Sequence, residues 1–295
     1  MPKVSIVIPS YNRADYVPAT IDSILKQTFK DWELIFIDDG STDTTKELMK
    51  RYVDADPRIK HFKQNNSERA VARSYGMSLA SGDYICLVDS DDIWYPDKLE
   101  KQVAVMDANP DLLLCYASVD RIDLDGKSVK AAHRQYQGYS GDVYHELLKR
   151  NFIPSVTPMF CRKYFTQVGD QVTKFIPYED WDFWLRLSRL GKFYHIRESL
   201  GAYRLHPGQS VQNVKAEKIE EVTLGVLDAN TLNTEAYSLA YLRIAYWYII
   251  AGKFNTARDR LSKSCEFNGA RICDYRWWGL YVSSFLGICF PHTIN

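Results

Sequence analysis

The sequence predicts an α/β fold: a mainly parallel sheet covered by helices on both faces, followed by a smaller helical region. Early in the chain, short β-branched runs alternate with segments of helical periodicity, and after residue 205 long helical patterns take over. Size agrees, since 295 residues at 46% hydrophobic and 14% aromatic composition can bury one large core with an appendage.

Taken in order, Val4 to Ile8 reads as a buried strand, and Val17, Ile21, Ile24 and Leu25 fall at helical spacing. Leu34 to Ile37 is a second strand and residues 43 to 53 a second helix. A short strand at 59 to 63, a helix at 68 to 80 and a strand from Tyr84 to Val88 continue the rhythm. In open α/β sheets ligands bind beyond the carboxyl ends of the strands. There this chain is polar: Pro9, Ser10, Tyr11 and Asn12, then Asp38, Asp39, Gly40 and Ser41, then Asp89, Ser90, Asp91 and Asp92. The topology predicts that the three clusters converge at one sheet edge.

Bulk properties narrow the function classes. Lys plus Arg number 37 and Asp plus Glu number 37, so no net field attracts a polyanion, which points away from nucleic acid. Cys86, Cys115, Cys161, Cys265, Cys273 and Cys289 contain no CxxC pair and read as small core residues in a reducing compartment. The opening MPKVSIVIPSYN is too brief for a signal h-region or a membrane span, so cytoplasmic folding is expected.

Asp89-Ser90-Asp91 carries the most chemistry. Two carboxylates one residue apart at a strand end can both reach a hard divalent cation, Mg²⁺ or Mn²⁺, whose open positions take diphosphate oxygens. The plainer alternative is that Asp89 or Asp92 caps the helix beginning near Pro96.

PSYN at 9 to 12, IDDGSTD at 37 to 43, ARSYG at 72 to 76, LASGDYICLVDSDD at 79 to 92 and EDWDFWLRL at 179 to 187 resemble, in order, the motifs of family 2 glycosyltransferases. The resemblance spans residues 3 to about 205. It implies the A-type glycosyltransferase fold, a Rossmann-like mixed sheet flanked by helices, with a nucleotide-sugar-binding and catalytic domain at 1–207 and a helical region at 208–295. It also implies a nucleotide diphosphate-sugar donor, Mn²⁺ or Mg²⁺ as cofactor, and inversion at the anomeric carbon. By the same resemblance Pro9, Tyr11 and Asn12 form the loop under the nucleoside and Asp39 hydrogen-bonds the base. Arg73 pairs with base or phosphates, with Arg69 one turn earlier on its face. Asp91 is the principal metal ligand, Asp89 bridges metal and ribose, and His206 completes a donor or metal site. Ser74 departs from the pattern, standing where the family usually has Asn. Gly40, Ser41 and Thr42 also read as turn and helix N-cap.

On the acceptor side, Glu179 and Asp180 stand at a predicted helix start. There they either favour the helix dipole or activate a sugar hydroxyl as general base, the role the resemblance gives Asp180 with Glu179 beside it. Trp94, Tyr95, Trp181 and Trp184 are candidates for an acceptor groove, Trp184 with core packing as its stronger reading. Tyr237 to Ile250 and the segment after Gly252 resemble one helix-turn-helix unit of a tetratricopeptide repeat. One unit cannot form a solenoid, so it packs on the catalytic domain or mediates pairing, as in a homodimer. Residues 275–290, aromatic and preceded by Arg271 and Arg276, suit peripheral membrane contact and a lipid-linked or glycan acceptor, or burial against the preceding helices. By analogy with the same family, a UDP-sugar is favoured as donor over dTDP- or GDP-sugars, in bacterial-type polysaccharide synthesis. The rivals are a sugar-phosphate nucleotidyltransferase, which would show an N-terminal glycine-rich phosphate loop that PSYNRAD lacks, and a non-catalytic nucleotide-sugar-binding or partner-recruiting protein.

Overall fold

The early apolar runs become strands buried along their whole length: β1 (Val4–Ser10) and, after helix α1 (Val17–Leu25), β2 (Trp32–Asp38). Helix α2 (Thr45–Ala55), strand β3 (Ile59–Lys63), helix α3 (Arg69–Ser78) and strand β4 (Tyr84–Leu87) follow. Every element expected here is present, its ends moved by two residues or fewer. β1 pairs in parallel with β2 and β4, and β2 with β3.

Beyond β4 come β5 (Ile93–Trp94), α4 (Lys98–Ala108), β6 (Leu112–Ile122), α5 (Tyr144–Lys149), β7 (Met159–Cys161), α6 (Phe165–Val168), α7 (Glu179–Ser188) and β8 (Lys192–Arg204). The sheet has eight strands in the order β3-β2-β1-β4-β7-β6-β8-β5. β7 runs antiparallel to both β4 and β6, and β5 antiparallel to β8, so the sheet is mixed. Its core joins Ile6, Ile8, Ile21, Leu34, Phe36, Met49, Leu99 and Val103. Each such side chain contributes about 1.5–3 kcal/mol on burial.

In this computed structural model, which describes residues 1–129, 138–209 and 214–286, the sheet belongs to a unit of residues 1–144, 152–173 and 183–207. A second unit comprises 145–151, 174–182 and the residues from 208 onward, so two short segments from before residue 207 pack with the C-terminal helices. Helix α7 starts in the second unit and continues from Phe183 in the first.

The second unit holds α8 (Ala216–Asn230), α9 (Thr234–Ile250), α10 (Phe254–Phe267) and α11 (Tyr275–Leu286). A turn containing Gly252, at a φ of 71° that favours glycine, joins α9 to α10. Leu242, Ala245 and Ile249 pack with Leu261, Trp277 and Leu280. Trp277 Nε1 also donates to the Leu261 carbonyl at 3.0 Å. This buries one face of α11 and leaves Trp278 and Val282, one turn apart, 49% and 44% exposed. Arg271 and Arg276 both pair with Asp274, at 3.3 and 2.7 Å. No helix among the described residues is long and apolar enough to cross a membrane. The last part of the 275–290 stretch, with Cys289, lies outside the described residues. Cys86, Cys115, Cys161 and Cys265 are free thiols, the first two fully buried.

Candidate active site

Two loops at the ends of β1 and β2 are tied together. Asn12 has a φ of 51°, a left-handed conformation that Asn tolerates. Its Oδ1 accepts from Thr42 N at 2.8 Å, and its own N–H donates to Ser41 Oγ at 3.0 Å. Ser41 N in turn donates to Asp38 Oδ1 at 2.7 Å. Ser41 and Thr42 therefore lace the loops, whereas the N-cap of α2 is Thr44. Asp38 is fully buried, with His61 and Lys63 3.9 and 3.8 Å from its Oδ2. Burial pushes its carboxyl up, but His61, Ser41 and the charge of Lys63 hold it at about 2.

Asp39, also buried, is anchored through its N–H to the Ser10 carbonyl at 2.8 Å. Its Oδ1 accepts from Gln64 Nε2 at 2.7 Å and from Ser67 N at 3.0 Å. Pro9 lies inside β1, opposite Ile37, while Tyr11 stands in the loop 47% exposed.

The acidic cluster after β4 is matched by cations from distant parts of the chain. Asp89 is ion-paired with buried Arg73 of α3 and hydrogen-bonded by Ser155. Burial raises its carboxyl, but Arg73 and Arg69 outweigh this and hold it below the usual range. Asp91 Oδ2 meets His206 Nε2 at 2.9 Å and Arg13 Nε at 3.8 Å. Burial and the neighbouring charge of Asp89 nevertheless raise the Asp91 carboxyl. Asp92 is sealed in, raised well above its ordinary value by burial and by Asp91 and Asp89. Its Oδ1 accepts from Arg204 N at 3.0 Å, and Arg204 Nε donates to the Asp91 carbonyl at 2.9 Å. Neither Asp89 nor Asp92 caps α4, whose N-cap is Asp97.

A divalent cation suits this chemistry. Asp91 and His206 put a hard oxygen donor beside an imidazole nitrogen, and the Asp91 carboxyl is raised by burial and by the neighbouring charge of Asp89, which added positive charge would relieve. Among the described residues no three acidic, histidine or cysteine side chains form a ready-made cation cage. Hard cations bound through one or two carboxylates take further ligands from substrate phosphates and water.

Several partners were not legible in the sequence: Arg13, Gln64, Ser155, Arg204 and Tyr16, whose ring stacks on His206 at 4.9 Å. The one signal was adjacency, since Arg13 directly follows PSYN and Arg204 precedes His206 by two residues. Ser74 accepts from Gln171 N at 3.0 Å, a bond within the first unit in place of the amide contact expected of Asn.

Glu179 and Asp180 begin α7 as expected, in the second unit. Glu179 is fully buried, and Asp180 Oδ2 accepts from Asn151 Nδ2 at 3.1 Å. The aromatic groove is corrected: Trp94, Trp181 and Trp184 are 2%, 3% and 0% exposed and belong to cores. Trp94 Nε1 donates to the Val156 carbonyl and Trp181 Nε1 to that of Leu147, both at 2.7 Å. Tyr95 alone of the four stays partly exposed, its hydroxyl donating to Asp120 at 2.6 Å.

The family model described as Glycosyl transferase family 2 matches residues 5–169. A putative teichuronic acid biosynthesis glycosyltransferase, TuaG, of Bacillus subtilis is 34% identical over 206 residues, which is 69% of this chain and 79% of that protein. An uncharacterized glycosyltransferase of Nostoc is 30% identical over 286 residues, 94% of this chain and 85% of the relative. One from Rickettsia felis is 38% identical over half of this chain, and the match spans only 24% of that longer protein. In fold, the chain is similar to a mannosyltransferase of Pyrobaculum calidifontis solved with GDP-Man and Mn²⁺ (TM-score 0.65, 16% identity, 97% and 85% of the two chains). It is also similar to S. aureus TarS 1–349 solved with UDP-GlcNAc (TM-score 0.59, 17% identity, 96% and 81%).

Proposed function

The chain belongs to glycosyl transferase family 2, and from that premise we propose that it is an inverting, metal-dependent glycosyltransferase. It moves a sugar from a nucleotide diphosphate donor, a UDP-sugar by preference, to a hydroxyl of a glycan or lipid-linked acceptor in polysaccharide synthesis. One observation carries the reading. Asp39, the Arg73–Asp89 pair and the His206–Asp91 pair stand beyond the carboxyl ends of parallel strands, where such sheets bind ligands.

In this reading Asp39 takes the base, Tyr11 and Asn12 lie beneath the nucleoside, and Asp89, steadied by Arg73, faces the ribose. Asp91 and His206, with Asp89, hold Mn²⁺ or Mg²⁺, which when bound neutralises charge on the diphosphate leaving group. Asp180 accepts the proton of the attacking hydroxyl, with Glu179 behind it. The exposed Trp278–Val282 face of α11 gives the second unit a surface for peripheral contact at the inner face of a membrane or with a second copy. The test is Asp180→Asn in single-turnover transfer at saturating donor. The substitution keeps size and removes the basic lone pair, so the chemical step should slow by roughly a hundredfold or more with donor affinity unchanged. Near-normal chemistry in that variant removes Asp180 from the base role.

A further inference from the structure

The hydrogen bonds around Asp39 have a consequence for which nucleobase it can read. Gln64 follows β3 directly, and its N–H is fixed by the Asp38 carbonyl at 2.9 Å. The next residues lie against the β2 turn: a Cβ on Gly40 would stand 2.8 Å from Asn66 N. Gln64 therefore reaches Asp39 from an anchored backbone. Because a carboxylate only accepts, the amide must present Nε2 to it, and with Ser67 N this gives Oδ1 two donors. Two donors fill the lone pairs of that oxygen. Oδ2 carries no hydrogen bond among the described residues and is not sealed from solvent.

We propose that Gln64, together with the Ser67 amide, sets nucleobase choice by leaving Asp39 a single free acceptor. One acceptor matches the lone imide N3–H of uracil or thymine. Guanine presents two adjacent donors, N1–H and the 2-amino group, which a carboxylate satisfies with both oxygens. Here the second donor would meet an oxygen already filled and lose its partner. A site built around one donor rejects a base whose polar groups it leaves unpaired. The inference rests on the reading that Asp39 faces the base.

Calorimetry with UDP, dTDP, GDP and N3-methyl-UDP tests it, on the wild-type chain and on Gln64→Ala and Asp39→Asn. The expected result is UDP and dTDP binding about tenfold or more tighter than GDP, with N3-methylation costing UDP a similar factor. Gln64→Ala, freeing Oδ1, should narrow the UDP-to-GDP ratio by roughly threefold or more. A wild-type protein that prefers GDP, or binds N3-methyl-UDP as well as UDP, overturns the proposal without any variant. If Asp39→Asn weakens UDP while Gln64→Ala leaves the ratio unchanged, Gln64 has no part in selection although Asp39 still reads the base. If Asp39→Asn changes no affinity, the placement of the base at Asp39 falls first.

Discussion

Gly76 decides how closely α3 approaches the sheet, and so where Arg73, one turn earlier, can reach. A Cβ at this position would stand 2.4 Å from Val7 Cγ1 and 3.1 Å from Ile37 Cγ1, both in the core under α3. The first distance is far inside van der Waals contact, so in Gly76→Ala either Val7 or the helix must move. Overpacking of this kind costs about 1–3 kcal/mol, and replacing a mid-helix glycine with alanine returns about 1 kcal/mol of helix propensity. The net loss should be up to about 2 kcal/mol, which for a chain of this size lowers Tm by up to roughly 8 °C.

Displacing α3 also draws Arg73 away from Asp89, so UDP affinity should fall by about threefold or more, the effect of losing part of one charge-assisted bond. Melting curves and calorimetry on the same preparation measure both effects. Val7→Ala should rescue part of the loss by removing the struck methyl, giving a double-mutant coupling of about 1 kcal/mol. A Gly76→Ala protein with unchanged or higher Tm and full UDP affinity would refute the close-approach argument.

Asp91→Ala should remove the gain in UDP affinity that Mn²⁺ confers while uridine binding survives, because only the diphosphate needs the cation; calorimetry with and without Mn²⁺ reads both. The Glu33 carboxyl is pushed up by burial but held at about 2 by Lys60, Ser5 and Ser81. Because its folded value lies below the ordinary glutamate value of 4.5, its stabilisation is full above that pH and is lost as pH falls toward about 2. Glu33→Gln should therefore flatten the acid limb of stability, closing a gap on the order of 2 kcal/mol, with urea melts between pH 5 and pH 2 as the measurement. Since α11 buries Trp277 and Leu280, deleting it should unfold the second unit; Trp278→Glu with Val282→Glu should instead leave it folded and abolish sedimentation with anionic liposomes. Undiminished sedimentation would clear that face of any membrane role.

The parallel half of the sheet was legible because its strands are short apolar runs separated by helical periodicity, and burial on both faces demands that pattern. β7 was not. Met159–Cys161 is only three residues long, and its antiparallel place between β4 and β6 is set by pairing with residues far away in sequence, which no local pattern records. For the same reason nothing in the sequence marked 145–151 and 174–182 as partners of the C-terminal helices. Trp181 and Trp184 were half legible. Their helical spacing with Leu185 marks a buried stripe, and their burial rules out a place in an aromatic groove.

At the site, the acidic residues were legible and their partners were not, and this asymmetry has a physical cause. Asp38, Asp39, Asp89, Asp91 and Asp92 are grouped by the chain itself at two strand ends, so two short motifs reveal them. What each can do depends on groups brought from elsewhere. His61 and Lys63 hold Asp38 ionised at the end of β2, and Gln64 and Ser67 both donate to the same oxygen of Asp39. Arg73 holds Asp89 ionised, while Asp92 takes the backbone of Arg204 and has its carboxyl driven upward. Asp91 alone combines a raised carboxyl with a histidine at hydrogen-bond distance and an arginine farther off. Asp89, already held by Arg73, would have to give up its guanidinium partner to become a ligand of equal strength. In the proposed metal-dependent reading, charge compensation ranks Asp91 ahead of Asp89 as a ligand, although the two carboxylates stand one residue apart in the sequence.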